Sequence, residues 1–566
     1  MKIDNNYNQI SQKQNGQIRN NNAKQKQNFT GAIDTALRFL DTNQAWGANA
    51  VDFFCMVMPR TITDFGRGSD AGWETARRES MGTINDSAVG LYGTLVGLAL
   101  AMGVNKVFGL TGKDIKASSI FADSETVDMM GEIWHEKPDG NSEDLLQKRI
   151  KKTLSQYEVF NNGEWKSFKE SDLEKASKIL AREVENHEKL PKDSAYDIAK
   201  ILTSSNNLEN NFRIKAKPNG RQHSSRYSIS TIVENTYKVS KLFTKEKFVE
   251  AFENIKNIDE NTLLKTLKSM NMKRSILGVL IATIVGCSTQ PINMWLTKRK
   301  TGTDGFVGGG KKDESLKFKI EKALVAGLFG AGVIATIGNP KNLLKNLQFK
   351  GLTPTINQLK FIYGTTIMSR FLAARNENEL KESSIKDMLG FTNWLILGNF
   401  VQKLVAQGLD KTHSLIKQEK KGGIINWITS SSLKTRDEVL HSALGEKAFK
   451  NGKALSFSEM MKAIANNKEA KKQIKILTIA QIAGYLYSGI VLGVGIPKLN
   501  IYLTKKRMER EQANAVNNAK KAPVVDDKML TPENRAFLSQ KNFTGMNLSL
   551  NNKNVKEVQK DQKQAA

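Results

Sequence analysis

SILGVLIATIVGCSTQPINMWLTKRK, residues 275–300, runs from Ser275 to Thr297 without a charged side chain. Lys273 and Arg274 precede it, and Lys298, Arg299 and Lys300 close it. Roughly twenty apolar residues in a helix suffice to cross a bilayer, and basic residues favour the two surfaces. Trp295 stands just inside the basic exit, where amphipathic rings prefer to lie. Gly278, Ala282 and Gly286 follow at helical spacing and give one smooth face for close packing in lipid. The stretch is therefore expected to be a membrane-spanning helix.

Its closing phrase returns much later. Asn293-Met-Trp-Leu-Thr-Lys-Arg-Lys is matched by Asn500-Ile-Tyr-Leu-Thr-Lys-Lys-Arg, again after a charge-free run, Ile476 to Pro497, containing Gly489 and Gly493. Further charge-free runs cover Ser87 to Asn105, Ala323 to Pro340 and Met388 to Gln402. The stripe Ala323, Gly327, Ala331 and Ala335 is expected to be a packing face. Two shorter apolar segments, Trp46 to Met58 and Gln358 to Arg375, are marginal as spans.

Each short segment leads through a charged connector into a span. Met58-x-Arg60, Arg78-Glu79-Ser80 and Asp86 stand against Met368-x-Arg370, Lys381-Glu382-Ser383 and Asp387. Asn162-Gly163 with Ser167-Phe168-x-Glu170 is likewise repeated as Asn451-Gly452 with Ser456-Phe457-x-Glu459. Three anchors recurring in one order mark an internal duplication. The expected fold is all-α: a multi-pass transmembrane helical bundle of two parallel copies, with two soluble helical inserts and disordered termini. Parallel copies put both basic exits on one side, which their charge marks as cytoplasmic.

The domain layout follows in order. Residues 1–31 form an Asn- and Gln-rich tail, 32–113 the first-copy membrane helices, 114–272 the first insert, 273–303 its long span and 304–352 a linker with a connecting span. Residues 353–409 repeat the membrane helices, 410–474 form the second insert, 475–510 the second long span and 511–566 a tail. Helical periodicity is expected over Asp144 to Phe160, Ser171 to Leu190 and Ile229 to Phe243. Both Ser-x-x-Glu signatures are expected to be capping boxes. Asn28-Phe-Thr-Gly, repeated at Asn542 to Gly545, is read either as a docking signal or as a product of biased composition.

Lys and Arg number 85 against 57 Asp and Glu, a net charge of +28, while mean hydropathy is −0.42 because polar tails and inserts dilute the apolar runs. The basic excess is spread along loops with no Arg-rich helix or aromatic-basic motif. Anionic lipid head groups therefore fit better than nucleic acid. Cys55 and Cys287 lie in apolar stretches and offer no disulfide framework or metal spacing. No cleavable leader is read at the start of the chain.

Enzyme signatures are weak. Gly305-Phe-Val-Gly-Gly-Gly310-Lys311-Lys312 has P-loop spacing without the final Ser or Thr, and Gly330-Ala-Gly332 lies inside a helix stripe. His135, His187, His223, His413 and His441 have no ligand set beside them and are expected at the surface. Pro291-x-Asn293 and Pro340-x-Asn342 resemble the helix ends of mitochondrial-type carriers. Those carriers have three copies and an acidic residue after the proline, so the resemblance implies no carrier activity for a two-copy chain with Asn there. No cofactor or metal is expected.

The functional candidates are charged groups within apolar segments, since these are tolerated in hydrocarbon only when paired or hydrated. Asp52, Arg60 and Arg370 qualify. Asp52 is a candidate partner of Arg370, and Asn293 and Asn500 are candidates to meet across the copies. The alternative puts the short helices at the interface with their charges in water. Lys298, Arg299, Lys300, Lys505, Lys506 and Arg507 are candidate membrane-surface anchors. Two non-catalytic roles remain open: transport or permeation, and a membrane scaffold recruiting protein partners. The expected location is an integral position in the membrane, with the bacterial inner membrane as the specific expectation.

Overall fold

In the computed structural model the described residues run from 29 to 521, apart from residue 43 and residues 111–119, 137–143, 162–163, 205–211, 216–226, 254–259, 303–311, 339–341, 352–353, 394–399, 419–426, 428–430 and 451–452. The Asn-Phe-Thr-Gly repeat at 542–545, most of both tails, the Gly-Lys loop and both Asn-Gly turns lie outside them. So do residues 394–399 of the expected span at 388–402.

The chain is mostly helical. The first half contributes α1 (Phe29–Thr42), α2 (Gln44–Asp52), a π-helical turn (Phe53–Val57), α3 (Met58–Phe65) and α4 (Ser69–Phe108). The first insert holds α5 (Ser124–His135), α6 (Leu145–Ser155), β1 (Tyr157–Asn161), β2 (Glu164–Ser167), α7 (Glu170–Asn186), α8 (Lys192–Ser204), β3 (Phe212–Ile214), α9 (Ile229–Phe243) and α10 (Glu246–Glu253). Then come α11 (Thr262–Thr301), α12 (Leu316–Ile337), α13 (Leu343–Asn346), α14 (Ile356–Ala373), α15 (Glu377–Phe391) and α16 (Phe400–Leu409). The second insert adds β4 (Ile416–Gln418), β5 (Ser431–Leu433), α17 (Arg436–Leu444), β6 (Phe449–Lys450), β7 (Lys453–Ala454) and α18 (Phe457–Ala463). The chain closes on α19 (Lys468–Tyr487), a π-helical stretch (Ser488–Gly495) and α20 (Ile496–Lys521).

Four helices among the described residues are long and apolar enough to cross a membrane: Ser69–Phe108, Thr262–Thr301, Leu316–Ile337 and Lys468–Asn514. Their outward faces are greasy. Leu328 on α12 is 75% exposed, and Leu95, Ile284 and Ile490 are also open. Such faces on long helices are compatible with lipid. α11 starts on Asn261, whose side chain accepts hydrogen bonds from the Leu263 and Leu264 amides, and stops at Gly302 in the left-handed conformation (φ +72°). α4 is 40 residues long, roughly 60 Å at the usual rise. It absorbs the charged connector and the following span into one rod.

α4 and α11 pack with their backbones close together. A methyl at Gly278 would lie 3.0 Å from the Gly93 Cα, and one at Gly93 would lie 2.5 Å from the Phe349 ring. The small-residue stripe on α12 behaves otherwise. Gly327 has nothing within 4 Å of a Cβ, and Ala323, Ala331 and Ala335 are exposed. The buried face of α12 is instead Phe318, Ala326, Gly330, Val333 and Ile337, because α14 packs there.

The inserts are not purely helical. β2-β1-β3 form an antiparallel sheet, and β4-β5 and β6-β7 are small pairs. The helix expected to Phe160 ends at Ser155, and Tyr157, Val159 and Phe212 turn into a core shared with α5 to α9. Ser167 ends β2, so α7 starts from Lys169 without a side-chain cap. The Ser456–Glu459 capping box does form.

The regions 114–272 and 410–474 touch one another. Lys200 Nζ on α8 reaches His441 Nε2 on α17 and lies 3.9 Å from Asp437, which Arg38 of α1 holds at 2.8 Å. His441 is thus buried rather than on the surface. This contact predicts that protease added to one face of sealed vesicles cuts both inserts or neither. Cleavage of a single insert would contradict it.

Burial pushes Lys200 down to about 8, and burial with the Lys200 charge pushes His441 down to about 4. The folded His441 holds a proton less readily than the unfolded chain. Its contribution is therefore complete above 6.5 and is lost as the pH falls toward 4. Tyr196, Arg38 and Asp437 are the other titratable groups acting here. Acidification through that window is expected to speed proteolysis at α8 and α17, and His441→Gln to flatten the response.

Candidate functional site: a buried charge cluster between the two halves

Ionisable groups cannot stay alone in an apolar bundle. Arg60 (α3), Arg78 (α4), Arg370 (α14) and Lys386 (α15) gather with Asp52 (α2), Glu79 and Asp86 (α4) and Asp387 (α15). None of the eight is more than 8% exposed. Four basic side chains stand against four acidic ones. Glu79 is the hub: its Oε2 lies 3.2 Å from Arg370 Nη1 and 3.8 Å from Arg60 Nη1, and its Oε1 3.1 Å from both Arg78 Nη2 and Lys386 Nζ. Arg370 Nη1 also stands 3.5 Å from Asp387 Oδ2.

Neighbouring contacts fix the depth. On α11, Asn85 Nδ2 donates to the Ala282 carbonyl at 2.9 Å, and Gln290 Nε2 donates to Glu379 Oε1 at 3.3 Å. Ala282 and Gln290 bracket the middle of the charge-free run. Phe329, midway along α12, meets Phe371 and Phe391 at the same level. The cluster therefore lies level with the middle of α11 and α12, while on α4 its residues Arg78, Glu79 and Asp86 precede the charge-free run that starts at Ser87.

Contacts come in matching pairs. Arg60 Nη2 donates to the Lys386 carbonyl (3.5 Å) and lies 3.1 Å from where a Gly390 Cβ would be; Arg370 Nη2 donates to the Arg78 carbonyl (3.3 Å) with Gly82 at 3.3 Å. Asn293 Nδ2 donates to the Glu74 carbonyl and Asn500 Nδ2 to the Glu382 carbonyl. α14 packs on α11, and the π-helical turn with α3 packs on the π-helical stretch Ser488–Gly495. Gly286 faces Thr366, and Gly493 faces Cys55 and Pro59. These pairs match Glu74-Thr75-x-x-Arg78-Glu79-x-x-Gly82 with Glu382-Ser383-x-x-Lys386-Asp387-x-x-Gly390. That register lies five residues beyond the Lys381-Glu382-Ser383 alignment expected from sequence.

The candidates chosen from sequence divide. Asp52, Arg60 and Arg370 all reach the cluster, so they are not at the interface in water. Asp52 and Arg370 form no ion pair: Asp52 Oδ2 accepts from Thr83 Oγ1 at 2.6 Å, and Arg370 serves Glu79 and Asp387. Asn293 and Asn500 do not meet, each being held by its own half; Arg77 Nε also donates to Asn293 Oδ1 at 3.0 Å. Lys298, Arg299, Lys300, Lys505 and Lys506 are exposed and Arg507 half-buried. Arg299 stacks over Trp295, and Lys300 bridges to Asp70 at 2.8 Å. Cys55 and Cys287 are half-buried.

Sequence reading missed Glu79's central role, the second layer of Arg375 with Glu74 and Glu379, and Arg274. Arg274, which precedes the charge-free run in sequence, is fully buried. It is sandwiched by the Phe121 and Phe349 rings at 4.4 Å each and donates to the Gly93 and Gly351 carbonyls and Asn271 Oδ1. Within the cluster, Asp86 Oδ2, Asp387 Oδ1, Arg78 Nε and Arg370 Nε have no hydrogen-bond partner among the described residues. Buried polar atoms of this kind are where water or an ion binds. No group of three or more His, Cys, Asp and Glu among the described residues could hold a metal ion. No known family model, curated protein or solved structure matches the chain.

Proposed function

We propose that the protein is a non-catalytic, multi-pass membrane protein that moves a small charged solute across the bilayer through a bundle of two duplicated halves. One observation carries this reading: a cluster of four basic and four acidic side chains, none more than 8% exposed, level with the middle of α11 and α12 and built by residues from both ends of the chain. Ionisable residues at that depth, facing the bundle interior, are the usual mark of an ion pathway or proton relay. Unsatisfied atoms on both carboxylates and guanidinium groups favour a hydrated cluster. The paired contacts of Arg60 with Arg370, and of Asn293 with Asn500, support duplication with exchanged short helices. Solute sites at the interface of structural repeats follow the same logic.

In this proposal Lys298, Arg299, Lys300, Lys505, Lys506 and Arg507 anchor one side at anionic lipid head groups, with Trp295 at the interface. Helical spans and unpaired thiols suit a bacterial inner membrane. The test is reconstitution of the purified chain into vesicles and measurement of ion flux under an imposed membrane potential. Flux above protein-free vesicles is expected. A correctly folded, fully incorporated protein that leaves permeability unchanged would overturn transport and leave the scaffold role.

A further inference from the structure

We infer that Asp52 and Asp86, with Asn49, Thr83 and Ser87, form an oxygen-lined site for a small monovalent cation, sodium or a proton, on the first-half side of the charge cluster. The inference rests on the transport proposal and names the class of ion at that same cluster.

The four basic groups are committed elsewhere, to Glu79 and Asp387. Neither Asp52 nor Asp86 has a cation within ion-pair distance among the described residues, although they are 3% and 2% exposed. Arg60 and Arg370 reach Asp52 through longer-range attraction, Arg370 does the same for Asp86, and Glu79 repels Asp52. The two aspartates also repel one another. Side-chain oxygens converge beside them from two elements. Thr83 Oγ1 donates to Asp52 Oδ2 at 2.6 Å, and Asn49 Nδ2 donates to Ser87 Oγ at 3.1 Å, which turns Asn49 toward α4. Thr83, Asp86 and Ser87 share one face of α4, and Asn49 and Asp52 one face of α2, by their three- and four-residue spacing.

Two buried oxygens here, Asp86 Oδ2 and Asn49 Oδ1, have no hydrogen-bond partner among the described residues. An acceptor left so costs free energy that a cation or a proton removes. A monovalent ion adds one charge beside the two aspartates and a divalent ion adds two, so the smaller charge disturbs the neighbouring ion pairs of Arg60 and Arg370 less. Occupancy also weakens the aspartates' pull on Arg60 and Arg370, the two guanidinium groups that tie each half to the other. Ion binding is thereby linked to the contact between halves.

The test uses the purified full chain in detergent and compares thermal unfolding in sodium chloride with choline chloride at equal ionic strength, and then across pH. For a sodium site, sodium raises the midpoint by several degrees in the wild type and not in Asp86→Asn. For a proton site, sodium does nothing and the wild-type pH dependence flattens in Asp86→Asn. Should Asp86→Asn fail to fold, Asn49→Ala and Asp52→Asn carry the comparison. The site is overturned if the wild type ignores sodium and its pH profile is unchanged in every folding variant. Binding without vesicle flux would sink only the transport proposal; flux that persists without either cation response would sink only this site.

Discussion

Replacing Glu79 by glutamine is expected to destabilise the protein more than any other single change in the cluster. The side chain keeps its shape and loses the charge that holds Arg370, Arg60, Arg78 and Lys386 within 3.8 Å. Removing one partner of a buried ion pair typically costs about 3–5 kcal/mol, because the other charge is left uncompensated. Here Arg370 keeps Asp387, while Arg60, Arg78 and Lys386 are left without a carboxylate within 4 Å among the described residues. Thermal unfolding in detergent measures the effect, and a lowered midpoint with loss of monodisperse protein is expected. Glu79→Gln combined with Arg370→Met removes charge from both sides and should recover part of the loss. Wild-type stability in the single variant would mean that Glu79 is not the hub its distances describe.

The second large effect belongs to the seam between α4 and α11. A Cβ at Gly278 would lie 3.0 Å from the Gly93 Cα and 3.2 Å from its amide nitrogen, so the obstacle is backbone that cannot rotate away. Gly278→Leu must push two 40-residue helices apart and break the Asn85 and Arg274 hydrogen bonds beside the seam. Overpacking costs of about 1–3 kcal/mol are usual, and the upper end or beyond is expected here. Gly327→Leu supplies the control, since a Cβ there meets nothing within 4 Å. Equal tolerance of both substitutions would contradict the close approach.

These two sites differ in how visible they were from sequence. The seam was legible, because glycines and alanines at four-residue spacing in a charge-free run have few other uses in lipid. The same rule failed for Ala323, Gly327, Ala331 and Ala335, since spacing says that a face is smooth and not that anything lies against it. Asp52, Arg60 and Arg370 could be singled out because a charge inside an apolar segment is anomalous. Glu79, Lys386 and Asp387 could not. They lie in a connector as polar as a loop, and Glu79 finds Arg370 across 291 positions. Short strands such as Tyr157–Asn161 were hidden for a different reason: five residues between helices leave too little alternation to outweigh the helical period around them.

The distance in sequence between Glu79 and its partners Arg370 and Lys386 bears on synthesis. When the ribosome has completed α11, the acidic hub on α4 exists but two of its four cations, on α14 and α15, have yet to be made. Under the membrane reading proposed above, the nascent chain carries Glu79 with only Arg60 and Arg78 beside it until α14 and α15 supply Arg370 and Lys386. A chain cut after α13 should for that reason be cleared by proteolysis instead of accumulating as a half-sized product.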